Sequence, residues 1–342
     1  MVRLKDIALR AGVSVMTVSK ALRDEPDVSE ATKAKIKSLA QQMGYVPDSS
    51  AQGLRTRTTK LLGLLISSTT DPFLARTVLA LEERAHDLGY DLLLMHTLNT
   101  PDREEYCIRR MLARRADGIF ISPVYRIEPE ARIYKELVAQ KARVVLLGPA
   151  APFCSQFPSV QVDDLIASYM ATQHLVKLGH KRIAFLAGPS AAPWSQARFE
   201  GYRRALREGA MDVDDGLVFQ AGSTTEDGVK AASQFLSEGC KATAVQAAHD
   251  LVAIGFADAM LNQGIKIPQD ISVVGFGNTI TSEYFRVPMT TVRQPKFRLG
   301  VAAAEMMLQL LRGQRVETKR LQAELIVRAS TAPPAHRPVM SH

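Results

Sequence analysis

The sequence predicts an α/β protein: a small N-terminal helical unit, then a two-lobed core of parallel sheets flanked by helices. Three observations carry this. The 342 residues exceed one ordinary domain. Residues 4–22, LKDIALRAGVSVMTVSKAL, read as two short helices joined by a tight turn. From residue 61 onward, short β-rich apolar runs alternate with longer helical ones.

In the first helix Ile7, Ala8 and Ala11 form an apolar stripe, and Val18 with Leu22 forms one in the second. Gly12 can take the backbone angles of the sharp turn between them, and Ser14 can cap the next helix, which therefore starts at Val15. Val15, Met16, Thr17, Ser19 and Lys20 then lie at the start of that helix or on its outer side, the end that enters the DNA major groove in helix-turn-helix motifs. Ser29 caps a third helix, whose Ile36, Leu39, Ala40 and Met43 close a three-helix core before Gly44 ends it. The following DSSAQGLRTRTTK, residues 48–60, is polar and basic and reads as a linker.

Charge and cysteine usage narrow the class. Residues 1–60 hold eleven Lys or Arg against six Asp or Glu, a net of +5, so most of the chain's +8 lies there. A basic helical unit on a nearly neutral body suits a partner with phosphates. Cys107, Cys154 and Cys240 have neither zinc-site spacing nor the even count of a disulfide framework. No apolar run reaches the length of a signal peptide core or a membrane span, which predicts a cytoplasmic protein.

Strands are expected over 61–67, 90–97, 117–124, 143–148, 159–163, 182–188, 217–222, 242–248 and 272–277, with helices over 73–88, 102–114, 165–178, 195–208 and 250–263. About ten such units exceed one sheet, which places a break between lobes near Val162. A helix over 297–312 and a strand over 321–328 return the chain across the lobes, and TAPPAHRPVMSH reads as a disordered tail. Catalysis finds little support. His249-Asp250, Asp163-Asp164 and Glu82-Glu83 are adjacent pairs with no nucleophile motif, phosphate-binding glycine loop or metal spacing, so no cofactor and no metal is expected.

The phrases DIALRAGVSVMTVSKAL, VSEATKAKI, LAQQMGYVPDSSAQGL, HLVKLGHKRIAFLAGP, RFEGYRRAL, IPQDISVVGFGN and PMTTVRQP run in the order of a family, and the chain resembles the LacI-type (LacI/GalR) bacterial transcription regulators. The resemblance implies a headpiece over 1–47, a hinge over 48–60, a core over 61–330 like a periplasmic sugar-binding protein, and a tail over 331–342. The implied core has an N-lobe of 61–161 plus 293–320 and a C-lobe of 162–292 plus 321–330. It also implies a homodimer, operator double-stranded DNA as partner, repression as the mode of control, and a small effector between the lobes: a sugar, sugar acid or phosphosugar. A transporter's solute-binding protein would share the core but not the basic headpiece.

Carried over by position, Ser14, Val15, Met16, Thr17, Ser19, Lys20 and Ser29 would meet DNA from the headpiece, with Lys20 able to donate to guanine O6 and N7. The hinge would contribute Ala51, Gln52, Leu54 and Arg55, Leu54 as a minor-groove wedge. Gly53 costs that hinge helix about 0.8–1 kcal/mol relative to alanine, so it is expected to form only on DNA. Effector residues would be Asp71, Phe73, Ser122, Tyr125, Arg198, His249, Gly277 and Gln294. His249 stands where asparagine is common, and Gly277 where an aspartate commonly accepts sugar hydroxyls. With Arg198 as the strongest anchor, these departures place an anionic ligand ahead of a neutral sugar.

Overall fold

The computed structural model describes residues 2–46 and 58–335. The chain divides into two compact units, 1–59 and 60–342. The expected hinge contacts of Ala51, Gln52, Leu54 and Arg55 lie outside the described residues.

The first unit is built from α1 (Leu4–Ala11), α2 (Val15–Ala21) and α3 (Glu30–Gln42). Gly12 ends α1 at φ 71°, a left-handed angle that costs glycine nothing, and its amide donates to Ala8 O. Ser14 Oγ accepts from the Thr17 amide at 3.1 Å, and Ser29 Oγ from that of Thr32 at 3.4 Å. Ile7, Ala8, Ala11, Val18, Ala21, Val28, Ile36 and Ala40 form the core, with Leu22, Leu39 and Met43 at its edge. Burying Ile7, Val18 and Ile36 contributes roughly 1.5–3 kcal/mol each.

The second unit holds two six-stranded sheets. The first runs β11-β5-β4-β3-β1-β2, all parallel, from β1 (Leu61–Ile66), β2 (Asp91–His96), β3 (Gly118–Ile121), β4 (Val144–Leu147), β5 (Ser159–Val162) and β11 (Lys319–Leu321). The second runs β12-β10-β9-β8-β6-β7, from β6 (Ile183–Ala187), β7 (Val218–Gln220), β8 (Ala244–Ala247), β9 (Ser272–Gly277), β10 (Thr290–Arg293) and β12 (Glu324–Ile326). Only β12 is antiparallel to its neighbour among the described strands. The unbroken LLGLLI of β1 suits a parallel strand with apolar layers on both faces: Leu64 and Ile66 join one buried cluster, Leu65 another.

The connecting helices are α4 (Pro72–Asp87), α5 (Pro101–Ala113), α6 (Arg132–Ala139), α7 (Asp164–Lys177), α8 (Pro193–Glu208), α9 (Thr225–Ser237), α10 (Asp250–Asn262), α11 (Ile280–Glu283) and α12 (Lys296–Leu311). The chain passes between lobes three times: from β5 to α7, from β10 to α12, which packs on α4 of the first lobe, and from β11 to β12.

Two sequence expectations need correction. The single strand expected over 321–328 is two short strands, β11 and β12, because the chain changes sheets at 322–323. The start of the expected disordered tail is ordered: Ala332 O accepts from Ser272 Oγ at 3.0 Å and lies 2.9 Å from His180 Nε2, while Thr331 Oγ1 is 3.0 Å from His174 Nε2. Residues 336–342 lie outside the described part. The strand β10 was not expected; its four residues, TTVR, are too few to register as a run.

Candidate functional site

In the first unit, Ser14 capping leaves α2 with Val15 46% and Met16 69% exposed, an unfavourable surface for two apolar side chains without a partner. Ser14 Oγ and Thr17 Oγ1 lie 2.9 Å apart at the same end. Ser19 Oγ accepts from Arg23 Nη1 at 2.6 Å, and Ser29 is exposed at the start of α3. Lys20, the expected base reader, forms an ion pair with Asp27, which is held below the ordinary carboxylate value by that hydrogen bond. An exposed pair of this kind is weak enough for another acceptor to replace it.

In the second unit a cavity of about 290 Å³ takes side chains from both lobes. Asp71, Phe73, Ser122, Tyr125, Arg198, His249 and Gln294 all line it. Gly277 does not: its carbonyl accepts from Lys296 Nζ, and its φ of +142° favours glycine there.

The cavity's polar end is organised by capping and by one buried ion pair. Asp71 caps α4, its Oδ1 accepting from the Phe73 amide at 2.8 Å. His249 caps α10, its Nδ1 accepting from the Leu251 amide at 3.2 Å, so that nitrogen carries no proton. Burial pushes His249 below its ordinary value, with Asp71 opposing. The imidazole is therefore neutral. Arg198, only 5% exposed, donates from Nε to Asp164 Oδ1 at 2.8 Å and from Nη1 to Ala248 O at 2.6 Å. Burial raises the Asp164 carboxyl, and the guanidinium opposes it. Trp194 lies one helical turn before Arg198 on α8, its ring centroid 4.5 Å from the guanidinium carbon.

Glu104 fixes the loop that brings Ser122 and Tyr125 to the cavity. This fully buried carboxylate accepts from the Val124 amide and Tyr134 hydroxyl, each at 2.8 Å, and pairs with Arg126. Tyr125 donates its hydroxyl to Pro149 O at 2.8 Å. Sequence reasoning missed Asp164, Trp194 and Glu104. Asp164 was weighed only as a catalytic pair with Asp163, although the spacing Trp194-x-x-x-Arg198 was a legible sign of a shared helix face.

A helix-turn-helix unit on the same chain as a two-lobed core enclosing a small-molecule cavity defines a DNA-binding regulator with a ligand site. Comparison with known proteins agrees. The model for bacterial regulatory proteins of the lacI family matches residues 3–48, and that for periplasmic binding proteins and the sugar binding domain of the LacI family matches residues 59–330. The chain belongs to the LacI family and is a DNA-binding transcriptional regulator. It is 31% identical over 330 residues to the HTH-type transcriptional repressor CytR of Escherichia coli K12, covering 96% of each chain. It is 29% identical to the HTH-type transcriptional repressor PurR of Photobacterium profundum, covering 96% of this chain and 98% of that one. Among solved structures it resembles the lac repressor dimer bound to operator and the anti-inducer ONPF, at TM-score 0.87 and 28% identity, over 97% of this chain and 99% of the other. It also resembles the regulator CelR in complex with cellobiose, at TM-score 0.74 and 28% identity, over 96% of this chain and all of that one.

Proposed function

We propose that this protein is a cytoplasmic repressor that binds operator DNA as a homodimer and changes its grip when a neutral, hydroxyl-bearing effector fills the core cavity. DNA contacts are assigned to the exposed face of α2, Ser14 to Lys20, and to Ser29, with the hinge residues Ala51, Gln52, Leu54 and Arg55 as further contacts. The observation that carries the effector assignment is the Asp164–Arg198 pair lining the cavity.

That pair changes the expected ligand charge. The lining offers two carboxylates, Asp71 and Asp164, against one guanidinium already engaged, and His249 is neutral. An anionic ligand would meet the Asp71 carboxylate while the guanidinium of the lining is already paired with Asp164, so repulsion would offset part of what its contacts return. Hydroxyl groups, which both donate and accept, suit Asp71, Ser122, Gln294 and the remaining N–H groups of Arg198.

The test is selection of genomic fragments by the full chain, followed by a thermal-shift screen of neutral sugars, sugar acids and phosphosugars and a DNA-binding assay with each hit. A preferred sequence and release by a neutral ligand are expected. No sequence preference, or a response confined to anions, would refute the corresponding half of the reading.

A further inference from the structure

The N-terminal ends of the first sheet's strands form a basic margin. All six strands are parallel, so the links leading into them lie along one edge of the lobe: residues 58–60, 88–90, 114–117, 140–143, 148–158 and 312–318, before β1, β2, β3, β4, β5 and β11. Backbone bonds align them there, the Asp91 amide donating to Lys60 O at 2.8 Å and the Ile119 amide to Arg143 O at 2.9 Å. These links carry seven Lys or Arg against two acids, Asp117 and Glu317. Arg114, Arg115, Lys141, Arg143, Arg312 and Arg315 are all exposed. Among the described residues, no acidic side chain pairs with Arg114, Lys141, Arg143, Arg312 or Arg315.

Helix ends alone do not explain this excess. The C-termini of α5, α6 and α12 reach the margin, and their dipoles favour cations. The second sheet offers an internal comparison, since the links into β6–β10, residues 178–182, 209–217, 238–243, 263–271 and 284–289, also follow helix ends. They hold five Lys or Arg against five Asp or Glu, and Arg182 and Arg286 are paired with Asp214 and Asp258. The excess therefore belongs to the lobe that the chain enters from the DNA-binding unit, and the entry point, Lys60, lies on the basic margin itself. The effector cavity is at the other end of the same strands, where Ser67, Ser122 and Gly148 follow β1, β3 and β4.

Resting on the reading of the chain as an operator-binding repressor, we propose that this margin is a second DNA-contacting surface, through which the core binds phosphates of the duplex that the headpiece reads. Guanidinium forks match phosphate oxygens two at a time. A duplex held by the headpiece is tethered to Lys60 by a short linker, which presents its phosphates to the margin at high effective concentration. Without a polyanion, seven cations on one edge only repel one another. Phosphate contacts carry no sequence information, so the margin adds affinity and salt dependence and leaves site choice to the headpiece.

The full-length native protein is compared with Arg114→Gln/Arg143→Gln/Arg315→Gln and with Lys181→Gln/Lys241→Gln/Lys266→Gln, which removes equal charge from the second sheet's margin. Binding is measured from about 50 to 200 mM salt on two duplexes of equal length, one carrying the sequence selected by the native chain and one of mixed sequence. At the low-salt end the arginine variant should bind about tenfold or more weakly, and its slope of log affinity against log salt should be shallower by about 2 or more, since each phosphate contact contributes about 0.9. Both duplexes should lose alike, and the lysine variant should match the native protein within twofold. Arg114→Lys/Arg143→Lys/Arg315→Lys, which keeps the charge, should retain most of the native slope. If the glutamine triple variant does not fold, its three single variants decide, each expected to lower the slope by about 0.9 or more. Equal slopes for the native protein and the arginine variant overturn the proposal and leave the repressor reading standing. An equal loss in the lysine variant also overturns it, because net charge and not this surface would then act, as does a loss confined to the selected duplex, which would place the effect on base reading. A native chain that selects no sequence refutes the repressor reading, and the slopes on the mixed duplex then decide the margin alone.

Discussion

Asp164 Oδ1 lies 2.8 Å from Arg198 Nε and 2.7 Å from Nη2, so the cavity's guanidinium is ion-paired within the protein itself. The guanidinium is therefore oriented and its charge balanced by a carboxylate of the same chain. Asp164→Ala should cost about 3–5 kcal/mol of folding stability by leaving a buried cation unpaired. Urea unfolding of the single variants and of the Asp164→Ala/Arg198→Ala double variant tests this. The double variant should lose clearly less than the two single losses combined, and strict additivity would mean the residues act independently.

Lys20, proposed as a base reader, is held in an ion pair with Asp27, and that pair is exposed. Lys20→Ala should relax discrimination at one base pair by roughly 1–3 kcal/mol. Selections from random duplexes with both proteins give the comparison. A uniform loss of affinity, with the preferred site unchanged, would make Lys20 a phosphate contact.

Gly277→Asp, which would introduce the residue that the family resemblance implies at this position, should destabilise the core. A Cβ at this position sits 3.4 Å from Asp250 Oδ2, and φ of +142° strains any side chain. The backbone strain alone is of order 1–3 kcal/mol, and a second carboxylate beside the buried Asp250 adds repulsion. A lowered melting temperature with no gain in sugar binding is expected. An unchanged melting temperature would show that the loop relaxes freely.

The headpiece was legible because its signals are local: Gly12, Ser14 and Ser29 act on amides within three residues or so, and the apolar spacing of Ile7, Val18 and Ile36 needs no distant partner. The alternation of strands and helices was legible for the same reason. The cavity's contents were only partly so. Seven of the eight expected effector residues reach it, yet Arg198 looked like a free anchor because Asp164, thirty-four positions away, pairs with it only after α7 and α8 pack. Gly277 lies outside the cavity lining, its conformation set by φ and by Lys296, neither visible in a string of letters. Thr331 and Ala332 looked like tail because prolines surround them, whereas His174, His180 and Ser272 hold them.

Those histidines give a pH dependence. Burial pushes His180 and His174 below the ordinary value of 6.5. The unfolded chain then binds more protons than the folded one between the folded values and 6.5, so their contribution is complete above that pH and declines as pH falls through this window. His180 Nε2 donates to the Ala332 carbonyl, and Nδ1 faces Thr243 Oγ1 at 2.9 Å. Its slope is at most about 1.4 kcal/mol per pH unit. Denaturant melts from pH 7.5 to 5.5 should show falling stability, and His180→Gln should flatten the curve. An unaltered slope in that variant would assign the dependence to other groups.

The three passages between lobes have a mechanical consequence. Each lies at the same margin of its sheet: β5 neighbours β11 in one, and β10 neighbours β12 in the other. Three short straps fastened along one margin leave a single easy motion, opening and shutting like a book, and resist shear of one page over the other. Gln294 sits on the middle strap, from β10 to α12, with its side chain at the cavity. A guest touching Gln294 thus bears on the spine itself, where a small displacement swings the far edges of both pages through the largest arc.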